Sequence, residues 1–286
     1  MQTVHRLDPL RIAVDALRHG DRTLALVPTM GALHEGHMTL VREAHRHADA
    51  VAVSIFVNPL QFGAGEDLAA YPRQLERDSA MLVGEGVDLL WAPMVEEMYP
   101  SGFSTNIGVT GVSEGLCGAA RPGHFDGVAT VVCKLFNQVR PDVALFGEKD
   151  WQQLAVIRRM ARDLDLVRPH ATQIVGVPTV RESDGLALSS RNAYLTADER
   201  AQAAALPAAM RDAVAAIETG EPVAAALTKL ADTLLASGFH AVDYAELRDA
   251  ANLAILGERS TGPMRLLVAA RIGKARLIDN MAVASS

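Results

Sequence analysis

Two imidazoles stand three positions apart at the entrance to a helical pattern. They lie in the stretch 23 to 41, TLALVPTMGALHEGHMTLV, where an apolar run stops at Pro28 and turns through Thr29, Met30 and Gly31. His34 and His37 then open an apolar-periodic segment. Helix starts collect unpaired N–H groups and the positive end of the peptide dipoles, so such a turn is a natural seat for an anion, above all a phosphate. Two other readings stay open at this point. The pair can be an ordinary surface helix start, or two ligands of a zinc site. HEGH, however, has two residues between its histidines where HExxH has three, and His45 and His47 fall on another part of the helix.

Two further clusters have the residue types for phosphate chemistry. In FGEKDWQQL, 146 to 154, Gly147 relaxes a turn after an apolar strand, Lys149 offers a mobile point charge, and Asp150 can cap a helix or hold a hydroxyl or a metal. Lysine occurs only at 134, 149, 229 and 274, which singles out this one. In VPTVRESDGLALSSRN, 177 to 192, Ser-Asp-Gly is a turn signal, and Ser189, Ser190 and Arg191 crowd two hydroxyls and a cation together. Taken alone, the first can be a capped loop and the second a solvated one.

The elements that must position these groups read as alternating strands and helices. Asp8 is expected to cap a helix with Pro9 at its first position and Gly20 beyond its end. Strands are expected over 22 to 27, 51 to 57, 87 to 92, 143 to 146 and 173 to 177, with helices after 34, over 72 to 83, 127 to 139 and 151 to 163. Continuous apolar strands alternating with helices imply a mostly parallel α/β sheet covered on both faces, whose ligands sit beyond the carboxyl ends of its strands. Residues 93 to 125, punctuated by glycine and proline, read as irregular. From about 196 the texture changes to Ala/Leu helices, to about 219 and then 222 to 236, followed by strands near 241 to 247, 265 to 271 and 276 to 278. This predicts a smaller C-terminal α+β domain over 181 to 286, after an α/β domain over 1 to 180.

Composition narrows the partners. The chain has 286 residues, 49% hydrophobic and 21% charged, with a net charge of −7. That balance suits a globular protein acting on small molecules, not on nucleic acid. No run approaches the roughly 18 apolar residues of a membrane span, and the N-terminus lacks the layout of a signal peptide, so the expected location is cytoplasmic. Cys117 and Cys133 are expected to remain thiols.

HEGH after a strand and a Met-Gly turn resembles the HxGH motif of the HIGH-type nucleotidylyltransferase superfamily. Together with GEKD, SSRN, SIFVNPLQFG (54 to 63), AYPR (70 to 73), RPGHFDGV (121 to 128) and DNMA (279 to 282), it resembles the pantothenate synthetase family from about Leu24 to the C-terminus. The resemblance implies a Rossmann-like N-terminal domain covered by a smaller one in a homodimer. It also implies ATP-dependent condensation of pantoate with β-alanine through a pantoyl adenylate, with release of pyrophosphate and AMP. ATP would enter as a substrate with Mg2+, with no tightly bound organic cofactor.

Carried over by position, Met30, Gly31, Ala32, Leu33, His34, Glu35, Gly36 and His37 match the ATP-binding turn, with His34 on phosphate and His37 as proton donor. Gly147, Glu148, Lys149, Asp150 and Val180 match nucleotide contacts, and Leu188, Ser189, Ser190 and Arg191 the phosphate-binding loop. His34, His37, Lys149 and Arg191 would be the catalytic set. Gln61 and Gln153 match the glutamines on pantoate, Gln61 also near β-alanine; Asp78 matches an acidic residue near magnesium, and Tyr71 and Arg121 the rim. Where the family usually reads Leu-Glu-Gly, this chain has Leu116-Cys117-Gly118, without the carboxylate. A transferase of the same superfamily that stops at the adenylylated product is the alternative.

Overall fold

The apolar runs of the first half assemble into one parallel sheet, seen in a computed structural model that describes residues 1 to 63 and 68 to 286. In chain order its elements are β1 (Gln2–Val4), α1 (Leu7–Leu17), β2 (Leu24–Thr29), α2 (Glu35–His47), β3 (Ala50–Ile55), a 3-10 turn (Pro59–Gln61), α3 (Leu75–Gly84) and β4 (Leu89–Trp91). There follow α4 (Val95–Met98), α5 (Leu116–Ala120), α6 (His124–Val139), β5 (Val143–Gly147), a 3-10 turn (Glu148–Asp150), α7 (Trp151–Asp163) and β6 (Ile174–Val177).

The six strands lie in the order β1-β4-β3-β2-β5-β6, with every pairing parallel. Alternation along the strands feeds two cores. Leu24, Leu26, Ala50, Ala52, Leu89 and Trp91 face α1, α6 and α7, whereas Ala25, Val27, Val51, Val53 and Leu90 face α2 and α3. The period of two places side chains on both faces, and both faces are buried. The chain runs outward from β2 through β3 to β4, then returns to lay β5 against the other side of β2. The crevice at the ends of β2 and β5 is therefore the topological switch point, where open α/β sheets bind ligands.

After β6 come a 3-10 turn (Ser190–Tyr194), α8 (Ala197–Ala203), α9 (Ala205–Glu218), α10 (Val223–Ala236) and the strands β7 (Ala241–Asp249), β8 (Met264–Ile272) and β9 (Ala275–Val283). These strands form a second, antiparallel sheet in the order β7-β8-β9. α9, α10 and this sheet enclose a core of their own, which includes Met210, Ile217, Leu230, Leu234, Leu266 and Val268.

Several local details differ from the sequence expectation, each for a physical reason. β1 is a three-residue edge strand, too short to show periodicity, held by pairing with β4. α1 begins at Leu7, and its free amide donates to Glu97 Oε1 at 2.7 Å, so Asp8 lies inside the first turn instead of capping it. The helix expected after 196 divides at Ala204, just before Pro207, whose ring cannot follow the carbonyl of residue 203 in a continuous α-helix. β9 extends to Val283, well past the expected end at 278, because Asp279 and Asn280 are polar residues buried within it.

Candidate active site

α2 starts with a reciprocal cap made of two histidines. His34 takes the extended backbone of the N-cap and its Nδ1 accepts from Gly36 N at 3.2 Å, while His37 Nδ1 accepts from His34 N at 3.2 Å. This is the capping-box arrangement with imidazoles in place of hydroxyl and carboxylate. The rings stand 4.1 Å apart, tilted by 46°. A Cβ on Gly36 would come within 2.9 Å of His34 Cε1, so the close seat of that ring requires glycine.

The cap alters the expected anion seat. Two amides at the helix start are already taken by imidazole nitrogens, so they are not free for a ligand. An imidazole whose Nδ1 accepts an N–H must carry its proton on Nε2, a tautomer assigned from the bonding network. Each ring thus has Nε2–H as its donor, and both residues line a common cavity. Burial, then the charge of Lys149, pulls the His34 pKa down to about 4; burial, then His34 and Lys149, pulls that of His37 down to about 3. Both rings are neutral at physiological pH.

The turn before the cap is held from α3. Asp78 is 1% exposed, and its two oxygens accept from Ala32 N at 2.9 Å and Leu33 N at 3.0 Å. Gly31 has φ +83°, and a Cβ there would meet Asp78 Oδ2 at 3.1 Å and Ile55 Cγ2 at 3.2 Å. The carboxylate matched to magnesium by resemblance is therefore occupied in fixing the backbone of residues 31 to 33. Glu35 points away from the cleft and pairs with Arg42. His45 and His47, at the far end of α2, bind the Glu85 carbonyl and Glu43.

Across the switch point, the 3-10 turn after β5 carries Lys149 and Asp150, whose charged atoms lie 4.0 Å apart. Glu148 faces the small sheet and reaches Arg265 at 3.4 Å. The third segment is a hairpin closed by Leu188 N to Val180 O at 3.0 Å, with Gly185 at φ +93° in the expected Ser-Asp-Gly turn. Ser189 caps the following 3-10 turn by accepting from Arg191 N at 3.3 Å.

These segments enclose a cavity of about 230 Å³ lined by Met30, His34, Gly36, His37, Gln61, Tyr71, Gly147, Lys149, Asp150, Gln153, Val180 and residues 188 to 191. It adjoins a cleft of about 780 Å³ that shares Lys149, Asp150, Gln153, Ser189 and Arg191 and continues toward β8 and β9. Of the residues matched by resemblance, Gly31, Ala32, Leu33, Glu35, Asp78, Arg121 and Glu148 do not line the smaller cavity, and Arg121 lines the adjoining cleft.

Gln61 is positioned by Asn58, within the SIFVNPLQFG segment. Asn58, fully buried, donates from Nδ2 to Gln61 Oε1 at 2.9 Å and to Gly127 O at 3.0 Å, while its Oδ1 accepts from Tyr99 Oη at 2.8 Å. With its oxygen engaged, Gln61 offers the cavity its NH2 group. Arg121 and His124 hold the Gln61 carbonyl at 3.1 and 2.8 Å, which gives RPGHF a supporting role. Gly127 admits this packing, since a Cβ there would lie 2.1 Å from Leu60 O. Gln152 is also buried and clamps the loop before α5: Oε1 accepts from Cys117 N at 3.0 Å and Nε2 donates to Val112 O at 3.1 Å.

Cys117 and Cys133 are free and buried. Cys117 Sγ meets Tyr244 Oη at 3.2 Å and Arg276 Nη1 at 3.3 Å, so the position that departs from the family pattern lies at the junction with the small sheet. Burial, then Cys117, raises the Tyr244 pKa.

A parallel sheet with paired histidines and a lysine turn at its switch point, beside a small antiparallel sheet, defines a Rossmann-like α/β enzyme with a polar cleft between them. The particular family follows from comparison with known proteins. The profile of the pantoate-beta-alanine ligase family matches residues 2–282, and the chain belongs to that family. It is 70% identical over 283 residues to the pantothenate synthetase of Novosphingobium aromaticivorans, covering 99% of each chain. The crystal structure of pantothenate synthetase from Thermus thermophilus, 49% identical, superposes with a TM-score of 0.92 over 99% of this chain and 100% of that one. The Francisella tularensis pantoate-beta-alanine ligase, solved in complex with beta-gamma ATP and beta-alanine, is 32% identical with a TM-score of 0.83, covering 99% of this chain and 97% of that one.

Proposed function

We propose that the protein condenses pantoate with β-alanine at the expense of ATP through a pantoyl adenylate. The pantoate carboxylate attacks the α-phosphorus and pyrophosphate leaves; the β-alanine amine then attacks the acyl carbon and AMP leaves. The observation that carries this reading is the convergence of two neutral Nε2–H donors, a lysine and two glutamines in one cavity at the switch point.

Nucleotidylyl transfer needs alignment and stabilisation of developing phosphate charge more than covalent help. His34 and His37 donate to phosphate oxygens, His37 acting as a hydrogen-bond donor in its neutral form. Lys149 and Arg191 offset charge on the α- and β-phosphates. The Gln61 NH2 group reads an acceptor oxygen of pantoate, with Gln153, whose amide has no hydrogen-bond partner among the described residues, opposite it. Gln61 also borders the β-alanine position.

Magnesium suits this donor set as a companion of the nucleotide. Among the described residues no group of three or more His, Cys, Asp or Glu converges on a metal position, and Mg2+ bound with phosphates needs only one or two carboxylates. Asp150, in the cavity beside Lys149, fits that role; Asp78, with both oxygens on backbone amides, does not. Bound there, the ion would neutralise phosphate charge.

Incubation with ATP, pantoate and β-alanine should yield AMP and pantothenate in equal amounts. Formation of ADP would overturn the adenylate route, and AMP release without an amine would favour a transferase that stops at the adenylate. The same reading divides the chain near residue 180 and makes the working unit a cytoplasmic homodimer on small-molecule substrates. No described helix is long and apolar enough to cross a membrane. Sedimentation at micromolar concentration tests the dimer.

A further inference from the structure

The DNMA segment lies in β9 at the edge of the larger cleft, and its first two residues are buried polar groups that reach both phosphate-facing segments. Asn280, 3% exposed, donates from Nδ2 to the carbonyls of Glu148 and Lys149, each at 2.9 Å. Its Oδ1 in turn accepts from Arg265 Nη1, and the Arg265 guanidinium stacks 3.4 Å from the Trp151 ring centroid. Asn280 therefore holds the backbone of the turn that presents Lys149, and is itself held by a stacked cation.

Asp279, whose side chain is 0% exposed, receives two bonds from Arg181, at 2.6 and 2.9 Å. Arg181 Nη1 also donates to Gly185 O at 3.0 Å, closing the hairpin whose far strand leads into Leu188, Ser189, Ser190 and Arg191. The two residues are joined as well, since Asn280 N donates to Asp279 Oδ1 at 2.7 Å. A buried ion pair contributes little net stability, because desolvation of both charges offsets their attraction. Its bidentate geometry instead fixes direction.

We propose that Asp279 and Asn280 are positioning residues that register the two phosphate-binding segments against each other, Asn280 through the Lys149 turn and Asp279 through Arg181 and the hairpin. Neither touches the reacting atoms. Both act by setting the separation of Lys149 from residues 188 to 191 across the cleft. The inference rests on the reading that those residues grip ATP phosphates.

The test is a double-mutant cycle on the full chain between Asn280→Ala and Lys149→Ala. Its readouts are pantoate-dependent exchange of pyrophosphate into ATP and affinity for a non-hydrolysable ATP analogue, with thermal unfolding monitored alongside. Asn280→Ala should slow exchange about tenfold and weaken analogue binding, with the KM for β-alanine unchanged. In the Lys149→Ala background the same substitution should cost less than twofold, because residues acting through one group are not additive. Asn280→Ser, which keeps one donor, should recover part of the rate and replaces the alanine variant in the cycle if that variant does not fold. An equal loss in both backgrounds, or a loss wholly explained by thermal unfolding, overturns the positioning role. If Lys149→Ala leaves exchange and analogue binding intact, the phosphate reading itself fails, a result distinct from additivity.

Discussion

His34 and His37 are placed by hydrogen bonds that span two and three residues of chain, whereas the Lys149 turn and the locally closed 180 to 191 hairpin are tied to β9 by bonds that reach across 98 to 132 residues. The histidine cap is local to the start of α2, with the turn before it held from α3 by Asp78. The opposite wall is registered only when the small sheet sits against it. The difference teaches that a locally capped histidine pair faces a lysine-bearing turn whose geometry belongs to the contact between two sheets.

The largest way to break the local wall is to remove one imidazole. His37→Ala deletes a cavity donor and the acceptor for His34 N together. Loss of one preorganised donor at a developing oxyanion costs about 10²- to 10³-fold in rate. Pantoate-dependent pyrophosphate exchange should fall by that factor, chiefly in kcat; a loss below tenfold would show that the cap is only structural.

A subtler substitution leaves both rings present. In Gly36→Ala the new methyl enters within 2.9 Å of His34 Cε1 and 3.0 Å of Nδ1, displacing that ring while His37 stays seated. Exchange should slow by about tenfold to a hundredfold, since misplacing a reacting group by about 1 Å can cost about 10². A crystal structure of the variant with His34 unmoved would refute the argument. The same methyl should not alter the Asn280 and Lys149 cycle, because the two walls are held independently.

Asp78 sharpens the comparison on the side of the local wall, where its carboxylate serves two backbone amides. Asp78→Asn turns an acceptor into a donor facing an N–H. A buried polar group left unsatisfied costs about 1–3 kcal/mol. Chemical denaturation should show a loss of that size, with the Mg2+ concentration for half-maximal activity unchanged. A raised magnesium requirement at unaltered stability would instead make Asp78 a metal residue.

The same contrast explains what was legible in the sequence. The parallel sheet could be read because its strands are apolar runs buried on both faces, and the helix start at HEGH because turn and periodicity are local patterns, whereas the reciprocal histidine cap there was not read. α7 was bounded correctly by its own turn and periodicity. What escaped were polar residues whose reason lies far away in the chain: Asn58 under Gln61, Gln152 over the loop before α5, and Asp279 with Asn280 inside β9. A strand that buries an aspartate beside an asparagine looks like the end of a strand until Arg181 and the Lys149 turn are brought to it. β1 and the cap of α1 were hidden for the same reason, since β4 and Glu97 complete them.

The smallest expected effect is an absence of titration. Folded, His34 and His37 bind protons only near pH 4 and 3, whereas the unfolded chain takes them up near 6.5. Between these limits the unfolded state holds more protons, so this contribution to stability is fully present above about pH 6.5 and is lost as pH falls toward 4 and 3. For catalysis, neither ring changes charge between pH 6 and 8, and exchange at saturating substrate should vary less than about twofold on their account. Long-range ¹⁵N–¹H correlation spectra should show both rings as neutral Nε2–H tautomers at pH 6. An inflection near 6.5 that vanishes in His37→Gln would mean that the imidazolium form does the work, and that the local wall takes its charge state from the bound phosphates instead of from its own burial.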